Sequence, residues 1–336
     1  MQYTLSTHRM IAGTGLHSGA LVRMTLRPAA VDTGLVFRRV DCAPGTNEIR
    51  VCPENWVEAS LCTLLQNEHG VRVSTVEHLL AALHGCGVHN ALIELDGPEV
   101  PILDGSAAPF VAHILAAGLR MQDAPLQVYR VVETVEVERD GAVARLHPAD
   151  GLEIAFEISF DDAAIGQQRQ EFRMSNGTFL RELSDCRTFC RRADVEMMQS
   201  RGLALGGTLD NAVVFDQGRV LSPGGLRRPD EPVRHKMLDV MGDLYVLGRP
   251  ILGRYEGLRA GHALTGLLIR KLMATPSACA LVDCSAPLRG QMPGVGISTR
   301  DLPLSARAHG STQSRHAGQQ GYGSDKRRFA PGFFLC

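Results

Sequence analysis

The spacing of apolar and polar positions predicts a chain that mixes short strands with helices. Short runs rich in apolar and β-branched residues indicate strands, and apolar residues that recur every three or four positions indicate helices. The predicted strands cover residues 21–26, 91–95, 129–137 and 152–159. One predicted helix begins near Val76 and carries Leu79, Leu80 and Leu83 on its apolar stripe, and others cover 109–119, 233–246 and 263–273. This mixture predicts an α+β fold.

Similar elements recur on both sides of residues 122–126, whose sequence Gln-Asp-Ala-Pro-Leu indicates a linker. A chain of 336 residues with 44% apolar content is long enough for about two domains. We therefore expect two domains of similar topology, over residues 1–121 and 127–288. Beyond residue 288 apolar periodicity ends and Gly, Ser, Gln, Arg and Pro dominate, so 289–336 is predicted to be a disordered basic tail.

Charge and cysteine content narrow the function classes. The 35 basic and 36 acidic residues nearly balance, which argues against a surface that binds nucleic acid and leaves at most peripheral membrane contact. The sequence begins without a signal-peptide pattern, so we expect a cytoplasmic protein. Nine cysteines without framework spacing favour reduced thiols. Cys186 and Cys190 lack a second Cys or His pair that would complete a zinc-finger spacing.

The segment from Val233 to Asp243 contains the most informative polar pattern. His235, Asp239 and Asp243 are spaced four apart, so on a helix one imidazole and two carboxylates share a face. Such a face can line a site. It can also be an exposed ion pair, and spacing alone favours this second interpretation because such pairs are common.

Two further segments place ionisable residues beside predicted helix starts. Glu77 and His78 are adjacent, so His78 can bind a metal while Glu77 reaches a water molecule. Ser74 and Glu77 also match a capping box, and taken alone this interpretation is favoured. His262 follows a glycine at the start of another helix, which suits either an acid/base group or an ordinary cap.

Seven ordered motifs carry a resemblance to a known family. They are GTGLHSG (13–19), STVEHL (74–79), PILDGS (101–106), RTF (187–189), LDNA (209–212), VRHKMLDVMGD (233–243) and GHAL (261–264). In these motifs, which lie within residues 3–284, the chain resembles the UDP-3-O-acyl-N-acetylglucosamine deacetylases. The resemblance implies two domains of like topology, each with helices layered on a small sheet, and an active site between them. It also implies an inserted element near residues 192–215 that forms a passage for an acyl chain.

The resemblance implies zinc-dependent hydrolysis of the N-acetyl amide of UDP-3-O-acyl-N-acetylglucosamine, an early step of lipid A biosynthesis. The implied ligands of one catalytic Zn²⁺ are His78, His235 and Asp239, and Fe²⁺ also suits such a set. Glu77 is implied as the general base and His262 as the acid that protonates the departing amine.

The remaining implied roles concern charge and substrate contacts. Thr188 and cationic His262 are expected to stabilise the oxyanion, with Asp243 holding His262 charged and Lys236 adding positive charge. The implied substrate-binding residues are His17, Phe189, Gly207 and Asn211. The implied partner is the UDP-linked acylated amino sugar, and we expect a monomer.

The chain departs from the family pattern at two places, and two alternatives to the implied function stay open. His89 stands where the family usually has aspartate, and Asp162-Ala163 replaces the more usual His-Pro. These departures concern loop packing, because no proposed ligand or catalyst is affected. The alternatives are a zinc amidase acting on another acylated amino sugar and a non-catalytic metal-binding interaction module.

Overall fold

A computed structural model of the chain describes residues 1–59 and 61–303, and the predicted mixture of strands and helices is confirmed. In residues 1–122 the strands are β1 (Gln2–Leu5), β2 (Arg9–Thr14), β3 (Leu21–Pro28), β4 (Leu35–Arg39), β5 (Glu48–Arg50), β6 (Trp56–Val57), β7 (Leu64–Gln66), β8 (Arg72–Val73), β9 (Ala91–Leu95) and β10 (Leu119–Gln122). Its helices are α1 (Glu77–Gly85) and α2 (Ala108–Ala117).

Residues 123–303 contain ten further strands and four α-helices. The strands are β11 (Gln127–Val131), β12 (Val135–Arg139), β13 (Ala142–His147), β14 (Leu152–Ser159), β15 (Gln167–Arg173), β16 (Phe189–Arg191), β17 (Val213–Asp216), β18 (Arg219–Val220), β19 (Ile251–Leu258) and β20 (Cys279–Asp283). The helices are α3 (Arg192–Gln199), α4 (Glu231–Asp243), α5 (His262–Met273) and α6 (Ala286–Arg289).

Two sheets contain most of the strands in the described residues. The first has the order β2-β3-β9-β4-β5, with β4 and β9 parallel and the other neighbours antiparallel. In the second, β12-β13-β19 continues through β14 to β15, with β14 and β19 parallel. Strands β11 and β20 extend this second sheet. In each sheet the central strand, β9 or β19, is preceded by a helix that carries candidate site residues and followed by another helix.

Helices α1 and α4 pack against each other, and α4 also packs against β14 and β15 of the second sheet. Every residue of α1 is buried, so the helix predicted from one apolar stripe is enclosed on all sides. Gly242 of α4 meets α1 at its first turn, and a Cβ there would overlap the carbonyl oxygen of Glu77. Only a hydrogen atom at this position permits so close an approach of the two helices.

The structure changes two of the predicted elements. The strand expected over 129–137 is two strands, β11 and β12, because Val132, Glu133 and Thr134 leave the ladder between them. The helix expected over 233–246 is α-helical to Asp243 and continues as a 3₁₀ turn over Leu244–Leu247.

The prediction of a disordered tail is wrong for residues 289–303. Met292 is buried in an apolar cluster with Leu126, Val128 and Leu252. Asp301 accepts a hydrogen bond of 2.8 Å from Arg181. These few apolar anchors are too widely spaced to produce a periodic signal, yet they hold the segment against the second sheet. The rest of the predicted tail, 304–336, lies outside the described residues.

Both departures from the family pattern have local packing roles. The Nδ1 atom of His89 accepts a hydrogen bond of 2.9 Å from the backbone N–H of Tyr3, which a carboxylate could also accept. The Asp162 carboxylate accepts a hydrogen bond of 2.9 Å from the backbone N–H of Ala164. It accepts a second one, of 3.2 Å, from the backbone N–H of Gly218, which follows the inserted element. Within the described residues, no helix is long and apolar enough to cross a membrane.

Candidate metal centre and active site

Three candidate metal ligands meet where α1 and α4 cross. His78 lies in the first turn of α1, and His235 and Asp239 lie one turn apart on α4. Their exposed fractions are 4%, 1% and 3%, so the alternative of an exposed ion pair on α4 is wrong. The burial follows from the close contact of the two helices, which removes this face of α4 from solvent.

The spacing of the ligand atoms suits a small divalent ion. The Nε2 atoms of His78 and His235 lie 3.6 Å and 3.3 Å from Asp239 Oδ1. Ligand atoms around a tetrahedral ion with bonds of about 2.0–2.1 Å lie about 3.3 Å apart. Asp239 Oδ1 is buried and has no hydrogen-bond partner among the described residues, an expensive arrangement that a bound cation would satisfy. The residues present therefore fit a metal ion.

Neighbouring groups orient these ligands and set their charge. The Nδ1 atom of His235 lies 3.0 Å from the carbonyl oxygen of Cys186, to which it donates, and this leaves Nε2 free to bind a metal. Burial lowers the pKa of His235 to about 3, so the imidazole is neutral. Burial disfavours ionised Asp239, but His235 and Lys236 outweigh it and lower the carboxyl pKa well below its usual value. The Lys236 ammonium donates to Asp239 Oδ2 at 2.8 Å.

Glu77 faces the site and does not cap its helix. Its Oε2 accepts a hydrogen bond of 2.9 Å from the backbone N–H of Thr63, whereas the Ser74 hydroxyl donates to Pro98. The capping-box interpretation is therefore wrong. Burial raises the pKa of Glu77, although the positive charge of His262 opposes the rise. A raised carboxyl pKa suits a general base that must accept a proton near neutral pH.

His262 begins α5 and forms a buried ion pair with Asp243. Its Nδ1 atom lies 2.9 Å from Asp243 Oδ2, while its Nε2 atom lies 3.9 Å from both Glu77 Oε1 and Asp239 Oδ2. Burial lowers the pKa of His262, but Asp243 and Glu77 outweigh it and raise the pKa to about 9. The imidazole is therefore charged at neutral pH, with Nε2 facing the metal ligands.

Thr63 contacts two candidate site residues, and the sequence did not reveal it. Its backbone N–H donates to Glu77, and its hydroxyl donates to Asp243 Oδ1, the second oxygen of the carboxylate that pairs with His262. One residue thus contacts both the candidate base and the partner of the candidate acid. Thr63 lies in a loop without periodic pattern, so no sequence signal marks it.

A buried ion pair fixes the segment that carries Thr188. Glu231 is fully buried and accepts both the backbone N–H and the side-chain Nε–H of Arg187, each at 2.9 Å. Arg187 lies between Cys186, whose carbonyl oxygen accepts from His235, and Thr188, whose backbone N–H donates to the carbonyl oxygen of Gly105 at 2.8 Å. Thr188 is 5% exposed and lines the cleft with the metal ligands.

The structure places the candidate substrate residues at different depths. His17 lines the cleft, and neither ring nitrogen has a hydrogen-bond partner among the described residues. Phe189 packs edge-on behind His235, with ring centroids 6.4 Å apart, and does not line the cleft. Asn211 accepts the backbone N–H of Thr208 and donates to the carbonyl of Gly206, so it holds the turn that contains Gly207.

The fold and the site together define a class of protein. A buried carboxylate and a charged histidine beside two imidazoles and a second carboxylate are the parts of a hydrolase whose centre can hold a metal. The comparison with known proteins then gives the family. The family model described as UDP-3-O-acyl N-acetylglycosamine deacetylase matches residues 2–274, and the chain belongs to this family. It is therefore a deacetylase.

Several similar proteins share the name UDP-3-O-acyl-N-acetylglucosamine deacetylase. The protein of Phenylobacterium zucineum is 50% identical over 277 residues, which cover 82% of this chain and 94% of that protein. The protein of Pseudoalteromonas translucida is 44% identical over 299 residues, covering 88% and 98%. The protein of Stenotrophomonas maltophilia is 47% identical over 288 residues, covering 85% and 94%. The resemblance stated from the motifs is thus confirmed.

Proposed function

We propose that this chain removes the N-acetyl group from UDP-3-O-acyl-N-acetylglucosamine, giving acetate and the free amine, as an early step of lipid A biosynthesis. The observation that carries the proposal is the placement of a buried base, Glu77, and a charged acid, His262, 3.9 Å apart beside the group His78, His235 and Asp239. Family membership and the names of the relatives supply the substrate.

Zn²⁺ is the proposed metal, held by His78, His235 and Asp239. Two neutral imidazoles and one carboxylate are a common catalytic zinc set that leaves a coordination position open, and Fe²⁺ tolerates the same ligands. When bound, the ion supplies Lewis-acid polarisation and makes water more acidic.

The protein's own groups supply the proton transfers. Glu77 accepts a proton from the attacking water, for which its raised pKa and its place beside the ligands are suited. His262 donates a proton to the departing amine, and its positive charge and the Thr188 hydroxyl stabilise the oxyanion. Asp243 keeps His262 protonated, and Lys236 neutralises the outer oxygen of Asp239.

The proposed substrate contacts extend from the cleft towards the inserted element. His17 offers two free ring nitrogens to a polar group of the sugar nucleotide. Gly207, in the turn that Asn211 holds, is a further proposed contact, and Phe189 packs edge-on against His235. Support for an acyl passage comes from an apolar cluster formed by the inserted element and its neighbours. Its buried members are Leu16, Ile102, Cys190, Val195, Met198, Ala204, Ala212 and Val214.

We also propose that the chain divides into two domains of like topology, joined at residues 122–126, with the active site between them. Support comes from the two sheets, which share the order hairpin, central strand, hairpin and the same senses of pairing. Support also comes from α1 and α4, which each precede a central strand and supply ligands from opposite sides. A monomeric state and a cytoplasmic location stay predictions.

The test is a deacetylation assay on purified protein stripped of metal and reloaded with Zn²⁺ or Fe²⁺. Acetate release from the UDP-linked substrate should require metal, and removal of the 3-O-acyl chain should lower kcat/KM by about 100-fold. Equal turnover of the deacylated sugar would favour a zinc amidase of broader substrate range. Absence of turnover in metal-loaded protein would favour a non-catalytic metal-binding module.

A further inference from the structure

Glu99 is a buried carboxylate outside the set of residues considered so far. It is 1% exposed and follows β9 by four residues. Its Oε1 accepts hydrogen bonds from the backbone N–H of His17 at 2.7 Å and the hydroxyl of Thr75 at 3.0 Å. Its Oε2 accepts the backbone N–H of Ser18 at 2.8 Å. No arginine or lysine within residues 1–59 and 61–303 forms a salt bridge with it, so neutral donors alone satisfy this buried charge.

These bonds fix the turn over residues 15–19. A Cβ at Gly15 would overlap Glu99 Oε2, so the carboxylate and the turn are in direct contact. The other side of the turn is held by the inserted element, where the backbone N–H groups of Leu205 and Gly206 donate to the carbonyls of His17 and Leu16. The backbone of His17 is therefore fixed on both sides.

The same carboxylate reaches the entrance of α1. Thr75 has a backbone φ of 57°, a left-handed conformation that costs free energy in a non-glycine residue and persists only where surrounding contacts hold it. The hydrogen bond to Glu99 is such a contact. Thr75 precedes Glu77 and His78 by two and three residues, so Glu99 joins the His17 turn to the start of the helix that carries the base and a metal ligand.

The imidazole of His17 lacks partners of its own, so its position depends on the main chain that Glu99 holds. We propose that Glu99 is a positioning residue, whose carboxylate presents the His17 ring to the sugar-nucleotide substrate. This inference rests on the proposed function. A carboxylate is required because the two backbone N–H groups bind different oxygens. In glutamine one oxygen becomes an NH₂ group that faces a donor and cannot accept.

The experiment compares full-length wild-type protein with Glu99→Gln and with Asp96→Asn as a matched control. Asp96 lies on the same connection and also accepts a backbone N–H, that of Arg23 at 2.7 Å, but on the exposed side. Hydrogen exchange measured by mass spectrometry should be faster in peptides covering residues 13–20 of Glu99→Gln and unchanged in Asp96→Asn. This readout does not depend on catalysis.

Activity is then measured in a double-mutant cycle with His17→Ala, with metal content determined for each protein. Glu99→Gln should lower kcat/KM by about 10- to 100-fold in the wild-type background, because misplacement of a substrate-contacting group has effects of this size. In the His17→Ala background the same change should lower it by less than about threefold, since coupled residues are non-additive. Zinc content should stay equal.

Equal losses in both backgrounds would overturn the proposal, because Glu99 would then act on the fold or the metal centre. Unchanged exchange over residues 13–20 would also overturn it. If Glu99→Gln does not fold, Glu99→Asp, which keeps the charge but is one methylene shorter, takes its place in the same cycle. A wild-type protein that is inactive on the acylated substrate would contradict the proposed function, while the exchange result would still decide whether Glu99 holds the turn.

Discussion

Replacing Asp243 by asparagine tests the assignment of His262 as the charged acid. The variant removes the negative charge that lies 2.9 Å from His262 Nδ1 but keeps the shape of the side chain. The amide oxygen can still accept from Nδ1–H, and the NH₂ group can donate to the Thr63 hydroxyl, which is able to reverse its role. The change is therefore one of charge, with the hydrogen bonds retained.

The size of the effect follows from the pKa of His262. Asp243 is the largest influence that raises this pKa from 6.5 to about 9, against the opposing effect of burial. At ~1.4 kcal/mol per pKa unit, the surroundings favour the imidazolium by about 3 kcal/mol. Loss of one close carboxylate typically shifts such a pKa by about two units, so it should fall to about 7. Because the acid must be protonated, the basic limb of the activity profile moves to lower pH.

The assay is the pH profile of kcat/KM for the acylated substrate between about pH 5 and pH 10, on zinc-loaded protein. At about pH 8 the protonated fraction of His262 should be about nine-tenths in the wild type and about one-tenth in the variant, so activity should fall roughly tenfold. Below about pH 6 His262 is protonated in both proteins, so the difference in activity should be small. Asp96→Asn serves as the control for loss of a carboxylate. A basic limb that stays in place in metal-loaded Asp243→Asn would refute the assignment of that limb to His262.

Four further changes test the metal centre, the base, Thr63 and the C-terminal segment. His235→Ala should abolish zinc binding and activity, and full zinc occupancy in folded variant would contradict its role as a ligand. Glu77→Gln should keep zinc by metal analysis but lower kcat by about 10²–10⁴-fold, and near-normal turnover would mean that the base lies elsewhere. Thr63→Val should lower kcat by about tenfold through loss of the hydroxyl bond to a charged group, and Thr63→Ser should recover most of it. A chain ending at residue 303 should keep its activity and Tm. A chain ending at 288 lacks buried Met292 and should lose about 2 kcal/mol of stability in thermal unfolding, and an unchanged Tm would contradict the packing role of this segment.

The sequence predicted the parts of the site that helix geometry determines. The i,i+4 spacing of His235 and Asp239 places both on one face of any helix, so their proximity required no knowledge of the fold. The third candidate ligand, His78, lies on a helix remote in sequence, and it was the resemblance that joined it to the other two. The strand over 91–95 was predicted with its observed bounds because it lies at the centre of a sheet and is apolar throughout its buried face.

What the sequence could not predict depends on long-range packing. The exposed-pair and capping-box interpretations were favoured locally, but they fail because the contact of α1 with α4 buries both sets of side chains. Thr63 and Glu99 act through hydrogen bonds to residues far along the chain, and loops that supply such bonds have no periodicity. Met292 and Leu302 are isolated buried residues in a polar segment, so composition alone indicated disorder.

The contact of Gly242 with Glu77 makes the geometry of the candidate metal centre depend on how closely α1 and α4 pack. His78 stands on one helix and Asp239 on the other, within a turn of the point where the two backbones touch. Metal sites tolerate errors of only about 0.2 Å in ligand distance. A methyl group added at Gly242 would therefore lower the affinity for the ion by moving α1 and α4 apart, although it would not contact the ion. Conversely, an ion held here would cross-link α1 and α4. Its binding free energy would add to the stability of their contact, so metal binding and the packing of these two helices would be coupled.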